Sequence, residues 1–232
     1  EKQKETNHYQ IQSLPINSGV FCLKKDRFQD VVWIGTDGQG VYLYSNPLYS
    51  IKSMVLSNYT EKIERPVRAI YLDDERTFWV GTKGNGILKI YDYEFDKNIS
   101  DCRAEVLTTS NSALSSNAVY CFAKSHRNLL WIGDEEGLTY YSYREKRIKS
   151  IPIRIGNEDF KYIHDIYETA DSELWLASVG MGVVKARIAG TSDNPVIVDA
   201  QRYIINDGEL GSNYFFTIYA ENEANLLFGN KG

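Results

Sequence analysis

The sequence predicts an all-β protein, a β-propeller built of four-stranded antiparallel blades, and three observations carry that expectation. First, a tryptophan-centred segment recurs: VVWIGTDGQGVYLY (31–44), FWVGTKGNGILKIY (78–91), LLWIGDEEGLTYYSY (129–143) and ELWLASVGMGVVKAR (173–187), with NLLFGNKG (225–232) as a shortened fifth copy. Trp33, Trp79, Trp131 and Trp175 stand 46, 52 and 44 residues apart by subtraction, and Leu227 takes the fifth place 52 residues on. That period suits one four-stranded unit per repeat. Second, an apolar strand precedes each copy at a fixed offset: nine residues separate Ile70 from Trp79, Phe122 from Trp131, Ile166 from Trp175 and Ile218 from Leu227. Third, no helical periodicity runs over a useful length, while 17 tyrosines and many β-branched residues favour strands.

Each unit then reads in the same order. Strand A is GVFCLKK (19–25), VRAIYLD (67–73), AVYCFAK (118–124), YIHDIYE (162–168) and YFFTIYA (214–220). A short polar turn such as DDERT or ETADSE leads into strand B, which carries the Trp. A Gly-rich turn follows, then strand C, a looser loop, and strand D: IKSMVL (51–56), CRAEVL (102–107), IKSIPI (148–153) and VIVDAQRYII (196–205). The expected units are 19–56, 66–107, 117–153 and 161–205, with a partial unit at 213–232 and a lone D strand in YQIQSL (9–14). WVGTKGNG resembles a phosphate loop only superficially. Lys83 precedes Gly84 and Gly86 instead of following them, and ILKIY is strand-forming where a phosphate loop needs a helix. Its glycines are expected to supply positive φ in a hairpin turn.

Composition narrows the function classes. The chain has 232 residues and a net charge of −5 spread along its length, which gives no basic stripe for nucleic acid and no cationic face for an anionic membrane. No apolar run is long enough to span a bilayer, and EKQKETNHYQ is not a signal peptide, so any targeting segment is expected outside the given chain. Cys22, Cys102 and Cys121 show no metal-ligand spacing and read as small buried residues. No Ser-His-Asp order, paired-carboxylate motif or H-E-x-x-H appears, so the expectation is no catalytic residue, no metal and no cofactor.

LSSNAVYCFAKSHRNLLWIGDEEGL (114–138) resembles the two-component regulator propeller repeat, whose pattern runs L-S-S-N-x-V, an apolar strand, L-W-I-G-T and G-G-L; VRAIYLDDERTFWVGTKGNGILKIY and LGSNYFFTIYAENEANLLFGNKG repeat parts of it. GDEEG, ASVGMG and the Trp-less fifth copy depart from the pattern. The resemblance implies the periplasmic sensing region of a membrane-spanning hybrid regulator of the Bacteroidetes type. Such a region binds an oligosaccharide or similar glycan-derived signal and passes it to a kinase elsewhere. It also implies a homodimer in the full-length receptor. Four complete units and two partial ones fall short of that family's usual seven blades, so the chain is expected to be a fragment of a longer propeller. The uncovered faces would then meet further blades or a second copy of the chain.

In up-and-down blades the D–A connections and the B–C turns share one face of the disc. That face is expected to carry Ser115, Ser116, Asn117, Asn213 and Tyr214 from one side and Asp37, Gln39, Lys83, Asn85 and Asp134 to Glu136 from the other. Hydroxyls, amides and rings of this kind suit a sugar, and Ser or Asn there equally closes turns by bonding nearby backbone. One strand-A position reads Ala69, Cys121, Asp165 and Thr217, with Cys22 aligned if the first unit has one extra residue. Asp165 breaks that series and must find donors or face water. Beside it His164 stands where other units have Arg68, Tyr120 and Phe216. The expected ligand-facing residues are therefore Asp165, His164, Tyr162, Asn117, Asn213, Tyr214, Lys83 and Asn85. A lyase or glycoside hydrolase on the same scaffold and a protein-interaction scaffold are the alternatives, because fold does not fix function.

Overall fold

A computed structural model describes residues 13–45, 50–53, 65–93, 102–205, 210–222 and 225–230. Among them there is no α-helix, and the strands form consecutive antiparallel sheets. Blade I holds β1 (Val20–Lys25), β2 (Val31–Thr36), β3 (Val41–Ser45) and β4 (Ser50–Ser53). Blade II holds β5 (Val67–Leu72), β6 (Phe78–Thr82), β7 (Ile87–Ile90) and β8 (Ala104–Leu107). Blade III holds β9 (Val119–Lys124), β10 (Leu129–Asp134), β11 (Leu138–Ser142) and β12 (Arg147–Ser150). A two-stranded hairpin, β13 (Arg154–Ile155) and β14 (Glu158–Asp159), follows. Blade IV holds β15 (Ile163–Glu168), β16 (Glu173–Ser178), β17 (Gly182–Thr191) and β18 (Asn194–Tyr203). β19 (Phe215–Asn222) and β20 (Asn225–Asn230) make a fifth, two-stranded sheet. Residues 9–12 and 54–56 of two expected D strands, and the last two residues of the fifth copy, lie outside the described residues.

Each four-stranded sheet runs in the order A-B-C-D, and the A strands β1, β5, β9, β15 and β19 pack successively side by side. They therefore form the innermost layer of the arc. Blades join through the Trp of one sheet and the next sheet's core. Trp33 lies 4.4 Å from the Phe78 ring and 5.2 Å from Tyr93, and Trp79 lies 4.8 Å from Tyr141. Trp131 sits among Ile163, Ile166, Leu174 and Leu176, and Trp175 reaches Phe228 at 5.7 Å. Trp33, Trp79 and Trp131 are wholly buried, so truncating any one should cost about 3–5 kcal/mol. The two ends of the arc differ from its interior: Leu23 on β1 is 65% exposed and Leu227 on β20 is 60% exposed.

The Gly-rich turn has two kinds of glycine. Gly84 and Gly86 adopt φ of 125° and 73°, as the hairpin turn requires. Gly81 in the same stretch does not share that role. A Cβ there would lie 2.9 Å from Val119 of the next blade, so this glycine permits close approach of blades. Gly133 is tighter still, with Cys121 Sγ at 2.5 Å and the Ile163 carbonyl at 2.8 Å from the same notional atom.

The indole N–H groups need buried acceptors. Trp33 Nε1 donates to Asp26 and Trp79 Nε1 to Asp73, each at 2.9 Å and each within its own blade. Ser125 occupies that position in blade III. There Trp131 Nε1 donates instead to Glu168 of blade IV at 2.7 Å, and Ser125 Oγ donates to the same carboxylate oxygen at 2.5 Å. A missing carboxylate in one blade is thus supplied across the seam by the next.

Candidate functional site

Every A strand carries the same irregularity. Pairing with strand B slips by one residue between Val20 and Cys22, Val67 and Ala69, Val119 and Cys121, Ile163 and Asp165, and Phe215 and Thr217. The extra residues are Phe21, Arg68, Tyr120, His164 and Phe216. A bulge of this kind re-aims the side chain it carries. Here it sets five planar groups in a row along the inner layer. The Arg68 guanidinium lies 3.6 Å above the Phe21 ring centroid, Tyr120 and His164 stack at 4.3 Å and 16°, and His164 meets Phe216 edge-on at 5.5 Å and 83°.

The arc lies at the start of the A strands, which places it at the face of the D–A connections and B–C turns. Backbone bonds tie these together. Lys83 N donates to Pro66 O, Glu135 N to Ala118 O, Tyr162 N to Glu135 O and Val179 N to Tyr162 O. Tyr162 is held at φ 55°, a left-handed conformation that costs a non-Gly residue about 1–2 kcal/mol. Tyr162 remains 41% exposed, and Phe216 and Tyr214 are 45% and 53% exposed. Burial, then Arg68 and Lys83, push the His164 imidazole down to about 4. His164 is therefore a neutral ring above that pH, suited to stacking and hydrogen bonding.

The eight residues expected at a ligand site have distinct positions. His164 is in the arc, Tyr162 is next to it, and Lys83 and Asn85 are exposed on the blade II turn. Tyr214 is exposed and bridges to Val179. Asn117 and Asn213 hold turns: their carbonyls accept from Gly84 and Gly86, and from Gly180 and Gly182, while their Oδ1 atoms accept from Thr109 N and Ile205 N. Asp165 finds donors. Oδ2 accepts from Ile218 N at 2.7 Å and Thr217 Oγ1 at 3.1 Å, and Oδ1 from Ile166 N at 2.9 Å. Burial is the main influence on Asp165 and raises its pKa, against those hydrogen bonds. The carboxylate thus clips blade IV to the fifth sheet. Asp134 is buried and accepts from Ser115 Oγ and the Glu136 and Gly137 amides, which locks the L-S-S-N segment to its turn.

Phe21, Arg68, Tyr120 and Phe216 are the residues the sequence did not mark as a site. Their signal was a column of planar side chains at one register position. The opposite face holds a cleft of about 500 Å³ beside Ser125, His126 and Glu168. Its charged groups are engaged: Lys124 pairs with Asp74, and Glu168 serves Ser125 and Trp131. Among the described residues no three His, Cys, Asp or Glu side chains converge to hold a metal ion.

No family model matches the chain. It is 31% identical over 140 residues to translation initiation factor 6 of Saccharolobus solfataricus, an alignment spanning 55% of this chain and 57% of that protein. Neither share reaches two thirds, and the alignment assigns no family. Solved structures match almost the whole chain, among them the two that follow. One is the extracellular domain of a proposed hybrid two-component system of B. thetaiotaomicron, with TM-score 0.69 and 23% identity over 95% of this chain and 27% of that one. The other is PorZ, a surface component of the type IX secretion system of Porphyromonas gingivalis, with TM-score 0.68 and 14% identity over 99% of this chain and 33% of that one. The chain spans about a third or less of these structures. At such identities the likeness is one of fold, a β-propeller of four-stranded antiparallel blades.

Proposed function

We propose that this chain is part of the periplasmic sensing region of a transmembrane hybrid two-component regulator. It binds an oligosaccharide or similar glycan-derived ligand at the channel-facing arc and transmits the event through blade packing to a kinase outside the chain. The observation that carries this reading is the repeated bulge. Four blades and the fifth sheet each use a ladder irregularity to present a planar group at the same register position, Phe216 in that row is exposed, and the exposed rings of Tyr162 and Tyr214 lie two residues before His164 and Phe216. Flat apolar surfaces beside hydrogen-bonding groups suit the faces and hydroxyls of a sugar ring. His164, Tyr162, Tyr214, Lys83 and Asn85 are the proposed contacts, with Asp165, Asn117 and Asn213 holding the frame around them. Further blades of the same protein or a second copy cover the exposed ends at Leu23 and Leu227, and the full-length receptor is a homodimer.

The reading is non-catalytic. Near the arc the buried Asp134 and the half-buried Asp165 carboxylates are taken by backbone and hydroxyl donors, which leaves neither free to act as one of an acid–base pair. Calorimetric titration against purified oligosaccharides tests the proposal. Saturable binding that Tyr162→Ala and His164→Ala each weaken, with the melting temperature kept, supports it. Binding indifferent to both substitutions would move the site away from the arc.

A further inference from the structure

We infer that the site takes an acidic oligosaccharide, whose carboxylate is held at the blade II end of the arc by Arg68 together with Lys83 and Arg65. This rests on the reading of the arc as a glycan site and adds the charge of the sugar.

Three cations of one blade converge there. Arg68 lies in the arc, and Lys83 is exposed on the adjoining turn. The Arg65 side chain packs along that same turn, with three of its atoms 3.7 Å from where a Cβ on Gly84 would stand. Among the described residues none of the three has a carboxylate partner. Neighbouring charge is handled differently: Lys161 on the same face pairs with Glu136 at 2.5 Å, and on the other face Asp74 takes both Arg27 and Lys124.

Arg68 is the informative member. Its guanidinium uses one flat face on the Phe21 ring, which leaves the in-plane N–H donors unspent, and its buried Nε has no hydrogen-bond partner. The Nη donors are not buried and no hydrogen bond engages them among the described residues, so they are the ones a ligand oxygen can reach, and a charge-assisted pair with them is stronger than a neutral hydrogen bond. The planar fork matches a carboxylate in two parallel hydrogen bonds, and the ring beneath fixes its plane. Arg68 and Lys83 also act together on His164, lowering its proton affinity after burial has done so, so both charges are felt along the arc as far as blade IV. Glu135 faces Tyr120 from the blade III turn and bounds the positive region on that side. An oligosaccharide laid along the arc from Phe216 past His164 and Tyr120 would thus bring the carboxylate of one of its residues to Arg68 in blade II.

The test is calorimetry on the whole chain with a panel of oligouronate tetramers (galacturonate, mannuronate, guluronate and hyaluronan types) and their carboxyl-reduced partners. At least one oligouronate should bind saturably, about tenfold or more tighter than its reduced partner, and more weakly as salt rises. Arg68→Gln and Lys83→Gln should each lose about tenfold or more in affinity for that probe at an unchanged melting temperature. Arg68→Lys should recover only part of the loss, because it keeps charge but not the fork. If reduced partners bind as tightly, or both Gln variants keep full affinity while Tyr162→Ala loses it, the acidic preference is wrong and the glycan site stands. Failure of the whole oligouronate panel, or binding confined to sulfated sugars, overturns the carboxylate assignment. Uronate binding unaffected by Tyr162, His164 and Arg68 variants alike overturns the site itself.

Discussion

Removing the Glu168 carboxylate should loosen the seam between blades III and IV, and the structure gives the size of the effect. Its Oε2 accepts from Trp131 Nε1 at 2.7 Å, Ser125 Oγ at 2.5 Å and the His126 amide at 3.3 Å, all in a side chain only 1% exposed. Glu168→Ala leaves these donors stranded and a void beside Trp131. With each buried unmet donor costing about 1–3 kcal/mol, and water reaching some of them, about 3 kcal/mol or more is expected. In a domain of this size that is a fall of roughly 6–12 °C in melting temperature. Blades I and II show the remedy, since Asp26 and Asp73 serve their own Trp from the position Ser125 holds. Ser125→Asp should therefore rescue Glu168→Ala, while in the parent chain it sets two carboxylates against each other and destabilises. The assay is thermal and urea melting of all four proteins, with the coupling read from the double-mutant cycle. Ser125→Asp acting with the same sign in both backgrounds, or Glu168→Ala melting within about 1 °C of the parent, would refute the cross-seam role.

Two further outcomes follow from half-buried groups on β15. Asp165→Asn keeps the size but loses a charged acceptor facing Ile218 N, Thr217 Oγ1 and Ile166 N. Its melting temperature should fall, with ligand affinity retained; lost affinity at unchanged stability would make Asp165 a ligand group. His164 is held down to about 4 against 6.5 in the unfolded chain. Below pH 6.5 the unfolded chain takes up a proton that the folded chain refuses, so this stability is full above 6.5 and declines as pH falls toward 4. His164→Gln should flatten that limb between about pH 7.5 and pH 4.5, with Asp165 titrating in both proteins. Parallel curves would show that His164 is open to solvent.

The blades were legible because the Trp register and the nine-residue offset are covalent facts of the chain, and pairing obeys them: Lys24, Tyr71, Ala123, Tyr167 and Tyr219 stand opposite Trp33, Trp79, Trp131, Trp175 and Leu227. The Cys22 alignment also holds, since Cys22 faces Gly35 as Ala69 faces Gly81, and the extra residue of the first unit lies in its A–B turn. The bulge was not legible. It adds one residue to strand A in every unit, so it leaves all offsets equal and shows only in cross-strand pairing. The β13–β14 hairpin was hidden by its length, two residues per strand, beneath any periodicity. Glu168 was hidden for another reason: its acceptor role replaces a residue missing from a different blade, a relation across 37 residues. Asn117 and Asn213 show the limit of residue type, because the same amide that suits a sugar also closes a turn.

The most direct measurement is an equilibrium titration of the chain with oligosaccharides, followed by mass spectrometry of the sugar recovered afterwards. A propeller that senses without chemistry should bind at least one of them saturably, lose that binding in Tyr162→Ala and His164→Ala, and return the sugar unaltered in mass. Shortened or unsaturated products that persist through repurification, or no saturable binding to any oligosaccharide, would contradict it.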